Sequence, residues 1–335
     1  MVQVSFLLYR FSNLLYYHNT FKIFVVANGL SPFLGVSPRY FGFTSEIHCL
    51  RLAIIVPLYR KNAALGMKKF LLSIFVTLVL ISIVSSCENL IEYSPYQAGV
   101  GSYGKQGNLQ SIRGLENGSH AEFKPFKIAL IGDSHTFYDD FQLQIKALNK
   151  MDSIDFVVHN GDITLSGIYR EFVWFEDITK DLNHPLITLI GNHDFLSNGE
   201  YIYKDMFGPF NFTLDYNNCR FVFFDDTIWE KNVEDPDFKW LKNACSVGDD
   251  ITHIFVFAHI PPWSKQFSVG NHYLYNKIIE DQNVSLSVHG HTHSYFYGKR
   301  EDSDVPFLVT GDTEDRQIVV LDVQADTLMV SRESF

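Results

Sequence analysis

From residue 126 onward the amino-acid sequence predicts an α/β sandwich, on three observations. Apolar runs of strand length recur at 128–131, 156–158, 186–190, 254–257 and 284–288, each stopping abruptly in Gly or polar residues. Helix-like stretches lie between several of them, near 139–149, 168–182, 236–246 and 272–280. Further strand-like runs at 211–216, 219–224, 294–297, 305–309, 316–323 and 327–331 have fewer helices between them, which calls for a second sheet. Short apolar runs suit a buried helix as well as a strand, and β-branched and aromatic content decides for strand here. Strands alternating with helices place those helices on the faces of a sheet.

Length and composition bound the rest. A chain of 335 residues holds one large domain or two small ones, and 46% hydrophobic with 19% charged residues suits a sizeable core. The net charge of −11 is unevenly spread. Residues 1–86 carry eight Lys/Arg and one acid, Glu46, which leaves residues 87–335 near −18. So acidic a surface argues against nucleic acid as a partner, because binding a phosphate backbone depends on Lys and Arg. A small phosphorylated substrate held by metal ions meets no such objection. The four cysteines, Cys49, Cys87, Cys219 and Cys245, contain no C-x-x-C, which excludes a zinc ribbon or thioredoxin-type pair. Cys219 and Cys245 can pair in an exported protein or stand as two separate thiols.

The first third reads as addressing. Met67-Lys68-Lys69 precedes a 15-residue apolar run, Phe70 to Val84, and Ser85-Ser86 leads into Cys87. This is the layout of an export signal rather than a membrane span. Val84-Ser85-Ser86-Cys87 resembles a bacterial lipobox, so residues 67–86 are expected to be a lipoprotein signal peptide and Cys87 the lipidated residue. Residues 1–66, aromatic-rich and nearly acid-free, are expected to be a mis-assigned upstream start or a disordered extension, with Met67 the true start. Residues 87–125, rich in Gly, Ser, Asn and Gln, read as a flexible tether. The folded domain is then 126–335, carried on an exported, membrane-anchored lipoprotein of a bacterial envelope, periplasmic or cell-surface.

Each of the first five strands ends in residues able to bind metal. They are Gly132-Asp133-Ser134-His135, Asn160-Gly161-Asp162, Gly191-Asn192-His193-Asp194, Ala258-His259 and Gly290-His291-Thr292-His293. Ligands of such sheets gather at the carboxyl ends of the strands, so one crevice would collect three Asp, several His and one Asn. Asp133 and His135 alternate and can reach one ion, which His293 can complete. Asn192, His259 and His291 can serve a second, and Asp162 is the natural bridging carboxylate. Mixed imidazole and oxygen donors suit Mn, Fe or Zn better than Ca or Mg. Two such ions can clamp a phosphoryl group and acidify a bound water. His193, beside the second ion but outside its donors, is placed to protonate a leaving group. Asp194 is expected to hold that imidazole or its loop.

Taken together, Asp133-x-His135, Gly161-Asp162, Gly191-Asn192-His193-Asp194, His259 and Gly290-His291-x-His293 resemble the calcineurin-like metallophosphoesterase family. The resemblance covers nearly all of residues 126–293. It implies a four-layer αββα sandwich, two ions sharing Asp162, and His193 as the acid or charge-stabilising residue. Purple acid phosphatases of the plant type carry Gly in place of His135 and a metal-binding Tyr where Leu165 stands, so a tyrosinate-bound iron is not implied. The segment Gly161-Asp162-Ile163-Thr164-Leu165-Ser166-Gly167 also lacks the Asp-Arg pair of protein serine/threonine phosphatases. The short Asp-x-His form looks closer to bacterial phosphodiesterases of cyclic nucleotides and related small esters. The alternatives are a nuclease, disfavoured by the charge, and a non-catalytic metal-binding envelope lipoprotein.

His159 and His289, each one residue before a motif Gly or Asn-Gly, are expected to pack behind the site. Trp263 and His272 are expected to pack within the segment after His259, and Tyr169 and Arg170 to begin a solvated helix.

Overall fold

The computed structural model describes residues 6–7, 24–25, 70–79, 94 and 97–335 except 121 and 249. Contacts divide the chain into residues 1–86 and 87–335. In the first unit, Phe6–Leu7 pairs antiparallel with Phe24–Val25, and residues 70–79 are helical. That helix lies in the expected signal segment; among the described residues no helix is long and apolar enough to cross a membrane. The expected lipidation position, Cys87, lies outside the described residues.

The second unit has eleven strands in two sheets. The first sheet contains β1 (Phe126–Ile131), β2 (Phe156–His159), β3 (Leu186–Thr188), β10 (Gln317–Val323) and β11 (Leu328–Ser334), in the order β11-β10-β1-β2-β3. β1, β2 and β3 run parallel, whereas β10 and β11 add antiparallel at one edge. The second sheet contains β4 (Phe212–Tyr216), β5 (Cys219–Phe224), β6 (His253–Ala258), β7 (Leu286–His289), β8 (Phe296–Arg300) and β9 (Ser303–Val309), in the order β8-β9-β7-β6-β5-β4. Here β5, β6, β7 and β9 are parallel, with β4 and β8 antiparallel at the two edges.

Alternation along each strand builds the layers. Ile128 and Leu130 of β1, Phe221 and Phe223 of β5 and Phe255 and Phe257 of β6 meet in one core between the sheets. Ala129 and Ile131 face the opposite way, onto α2 (Tyr138–Leu148) and α3 (Tyr169–Thr179). Val222, Val256 and Ala258 face α5 (Phe238–Cys245) and α6 (Val269–Asp281). A period of two on strands buried from both sides therefore yields helix, sheet, sheet, helix, the predicted αββα order. The inter-sheet core is aromatic. Phe221 stacks on Phe255 at 4.9 Å and meets Phe126 and Phe156 of the other sheet at 6.0 and 5.4 Å. Cys219 and Cys245 are free, buried thiols in different cores, one between the sheets and one beneath α5.

The tether expectation fails over part of its length. Residues 107–118, read as flexible from their Gly, Ser and Asn content, form helix α1 (Gly107–Gly118), with Ile112 and Leu115 buried in the inter-sheet core. Asn108 explains the docking. Its amide donates to Thr188 O at 2.7 Å and accepts from Thr188 N at 2.9 Å, pairing with edge strand β3 as another strand's peptide would. A further helix, α4 (Gly199–Met206), starts on a glycine outside the four predicted helical stretches and buries Ile202, Tyr203 and Met206.

Two substitutions test this account by urea unfolding. Phe221→Ala, which empties the junction between the sheets, should cost about 3–5 kcal/mol. Asn108→Ala, which strips the partners from the buried Thr188 edge, should cost about 1–3 kcal/mol.

Candidate metal centre

Neighbouring strand ends are stitched to one another just past the ladders. Asn160 N bonds Ile131 O, Asp133 N bonds Gly161 O, Leu189 N bonds His159 O and Gly290 N bonds His259 O. The chain then turns sharply. Asp133, His135, Asp162, His291 and His293 all lie at positive φ, between 41° and 69°. Asp and His enter this region more readily than most residues, and a cluster of such conformations persists only where the surroundings enforce it. The glycines make room for close approach: a Cβ on Gly290 would lie 2.6 Å from Asp133 Oδ2.

The side chains collect into two groups, Asp133, His135 and His293 in one and Asp162, His259 and His291 in the other. In the first, His293 Nε2 lies 3.2 Å from His135 Nε2 and 3.5 Å from Asp133 Oδ1. In the second, Asn192 Oδ1 lies 2.9 Å from His291 Nδ1. Asp162 joins them, with Oδ2 3.0 Å from His259 Nε2 and 3.7 Å from His135 Nε2. All seven residues expected as ligands are thus brought together, Asn192 among them.

Burial makes this cluster electrostatically unbalanced. Asp133 and Asp162 are 0% and 1% exposed. Burial drives the Asp133 carboxyl well above its usual range, with His259 opposing and Asp162 adding to the rise. Burial acts on Asp162 in the same direction, but the charges of His259, His193 and His135 outweigh it and hold this carboxyl low. His259 feels the converse: burial disfavours its charge, yet Asp162 and then Asp133 raise it to about 10. His135 and His291 are pushed down to about 4, by burial first and by neighbouring imidazoles. His259 Nε2 is buried without an aligned hydrogen-bond partner. Unpaired imidazole nitrogens facing buried carboxylates are the donor set of a transition-metal site, and the residues fit two such ions.

The remaining histidines divide as expected. His159 and His289 are buried behind the site, bonded to Ser134 Oγ at 3.0 Å and Ser287 Oγ at 2.8 Å, and burial lowers both to about 3. His193 is half-buried at the rim. Its Nδ1 donates to Leu165 O at 2.7 Å, and its ring stands edge-on to His135 at 4.9 Å. Of the two roles expected for Asp194, holding the His193 imidazole or holding its loop, the structure shows the loop. The Asp194 carboxylate accepts from Gly191 N, Ile163 N, Thr164 N and Thr164 Oγ1, so it clamps two loops together. Burial, reinforced by the Asp162 charge, raises it to about 7. Trp263 packs against Phe307 and Phe296 beneath the Arg300 guanidinium, and His272 pairs with Asp302 at 2.8 Å. Arg170 stacks over Trp174 in α3.

Two carboxylates at the site were not anticipated, Asp312 and Glu230. Asp312 had a legible signal: Thr310-Gly311-Asp312 follows β9, a sixth strand end with a Gly-Asp pair. Glu230 lies in an irregular loop after β5, where no sequence pattern points to it.

The sequence profile of the calcineurin-like phosphoesterase family matches residues 126–295. No curated protein sequence matches the chain. Among solved structures, a purple acid phosphatase from yellow lupin seeds superposes with a TM-score of 0.52 at 14% identity, over 64% of this chain and 52% of that one. The chain thus spans about half the length of the lupin enzyme. GAP50, the anchor in the inner membrane complex of Plasmodium, gives 0.49 at 15% identity, over 63% of this chain and 84% of that one.

The close approach at Gly191 offers a test. A Cβ there would lie 2.2 Å from both Asp162 N and Asp162 Oδ1. Gly191→Ala should therefore displace Asp162 and leave the purified protein with less bound metal than the unsubstituted chain, measured by elemental analysis after dialysis.

Proposed function

The chain belongs to the calcineurin-like phosphoesterase family, and on that footing we propose that it hydrolyses a small phosphoester using two divalent metal ions held at the strand ends. The observation that carries this reading is a full donor set in two groups that meet at Asp162. Asp133, His135, Asp162 and His293 would hold one ion, and Asp162, Asn192, His259 and His291 the other, with Mn, Fe and Zn all suited to these donors. When bound, such a pair supplies Lewis-acid charge to the phosphoryl oxygens and makes a coordinated water acidic near neutral pH.

The chain's own groups supply orientation and the proton. The Leu165 carbonyl accepts from His193 Nδ1, which fixes the tautomer and leaves Nε2 to carry the second proton. The His193 backbone N–H donates to Asp162 Oδ1 at 2.9 Å, tying the acid's position to the shared carboxylate. As water adds to phosphorus and the ester P–O bond breaks, the departing alkoxide takes the Nε2 proton. Half-exposed, His193 recovers that proton from solvent. Leu165 and Leu196, both exposed, meet His193 through their backbones, Leu165 O at its Nδ1 and Leu196 N at its carbonyl. An apolar flank beside the acid supports a substrate with an organic leaving group, a nucleotide ester among them. The uneven charge of the chain supports small substrates over nucleic acid. Export and lipid attachment at Cys87 are part of the same proposal.

The purified chain, supplied with Mn²⁺, Fe²⁺ or Zn²⁺, is to be assayed on an aryl phosphodiester and an aryl phosphomonoester. Turnover should require metal and vanish in Asp162→Asn. His193→Ala should lower kcat by about 10²–10⁴-fold, the range of a lost general acid, with bound metal unchanged. A protein that binds two ions and turns over neither ester would be a metal-dependent binding protein, not a hydrolase. For the anchor, Cys87→Ser should move the protein from the membrane to the soluble fraction and abolish labelling by a fatty-acid analogue.

A further inference from the structure

Two acids outside the ligand set each grip one ligand by the atom that faces away from the metal position. Asp312 Oδ2 lies 3.2 Å from His293 Nδ1, on the far side of the ring from the Nε2 that faces Asp133 and His135. Glu230 Oε1 accepts from Asn192 Nδ2 at 3.2 Å, while Asn192 Oδ1 faces His291. The first contact belongs to one group of ligands and the second to the other. We propose that Asp312 and Glu230 are positioning residues, one for each metal site, which rests on the two-metal reading above and deepens it.

The need for Asp312 follows from exposure. His293 is 42% exposed, whereas Asp133 and His135 of the same group are 0% and 4% exposed. An imidazole with that much open space samples several rotamers, and only one aims Nε2 at Asp133. A carboxylate at Nδ1 selects that rotamer and holds the proton on Nδ1, so that the Nε2 lone pair faces the site. Asp312 is itself fixed. Its Oδ1 accepts from Asp315 N at 3.1 Å, and the next residue, Thr313, donates from Oγ1 to Gly132 O at 3.2 Å. Asp312 therefore ties the end of β9 to His293 beyond β7, while its neighbour Thr313 fastens the same segment to the end of β1 in the other sheet.

The need for Glu230 follows from amide chemistry. Only the oxygen of an Asn side chain binds a cation, and a half-turn about χ2 replaces it with an NH₂ group. A carboxylate accepts and cannot donate, so Glu230 turns Nδ2 toward itself and leaves Oδ1 for the site. Its loop is anchored independently: Ile228 is buried, Lys231 pairs with Asp225, and the Lys231 ammonium sits 4.7 Å over the Phe195 ring. The other oxygen, Glu230 Oε2, is buried without a partner. A half-satisfied buried carboxylate is costly alone and far less so beside a cation.

The test is a two-site metal titration of the full-length protein, stripped with chelator and followed by calorimetry with Mn²⁺ and with Zn²⁺. Asp312→Ala should weaken one site about 10–100-fold and spare the other, and Glu230→Ala should do the reverse. Asp312→Ala added to His293→Ala, and Glu230→Ala added to Asn192→Ala, should cause no further loss, which assigns each acid to its ligand. Asp312→Asn and Glu230→Gln keep an acceptor oxygen and should restore binding to within about threefold. Two unchanged sites in the alanine variants would overturn the proposal, as would equal loss at both sites or conservative variants as weak as alanine. A lack of metal binding by the unsubstituted chain would instead remove the two-metal reading itself.

Discussion

The rest of the centre is arranged around one buried carboxylate, Asp162, which meets imidazoles from both groups. Its Oδ2 faces His259 at 3.0 Å and His135 at 3.7 Å, while Oδ1 receives the His193 backbone N–H. A carboxylate that is 1% exposed carries a desolvation cost of several kcal/mol unless positive charge stands beside it. Asp162, and then Asp133, raise the His259 imidazole beside them, whereas burial, aided by neighbouring imidazoles, lowers His135 and His291. A divalent cation on each side would meet the demand for positive charge as well, and His259 Nε2 has no aligned hydrogen-bond partner to lose. The charge imbalance of the cluster thus suits it to cations.

Each ion position draws on both sheets. Asp133, His135, Asp162 and Asn192 follow β1, β2 and β3 of the first sheet; His259, His291 and His293 follow β6 and β7 of the second. The spacing of the ligands is therefore set by how the two sheets pack. The interdigitated phenylalanines of that interface, with Phe221 touching rings from both sheets, fix the spacing far more firmly than loops could. The lupin enzyme shares this architecture at 14% identity. A core can change nearly every side chain and keep its sheet spacing, provided volume and alternation are conserved.

Alternation and strand-end chemistry are local properties, and these were legible in the sequence. The four predicted helices and all eleven strands of the second unit exist, because Phe255-Val256-Phe257 or Ile128-Ala129-Leu130 can bury both faces only in a covered sheet. The seven candidate ligands were picked out for the same reason, each lying within four residues of a strand's end. What stayed hidden depends on contacts distant in sequence. Helix α1 looks like a linker until Asn108 is seen against Thr188, 80 residues away. Glu230 is 38 residues from Asn192 and follows no strand-end motif. Asp312 was readable in principle, because Thr310-Gly311-Asp312 repeats after a sixth strand the Gly-Asp pair of Gly161-Asp162. Asp194 was legible only as one of two options, holding the His193 imidazole or its loop, and its bonds to distant amides decide for the loop.

That last case exposes how closely roles are divided within a single turn. Asn192 precedes a short 3₁₀ helix, His193–Phe195. At three residues per turn, consecutive side chains leave the axis about 120° apart. Asn192 accordingly faces the second group of ligands, His193 turns to the open rim, and Asp194 turns inward to the amides of Gly191, Ile163 and Thr164. An ordinary α-turn would rotate these directions by 20° per residue and pull the three roles out of register. The buried Asp194 carboxylate bonds the amides that border this turn, so its contribution runs through the placement of its two predecessors. A candidate ligand and a half-buried imidazole on adjacent residues need such a device, because each is aimed independently while their backbone is shared.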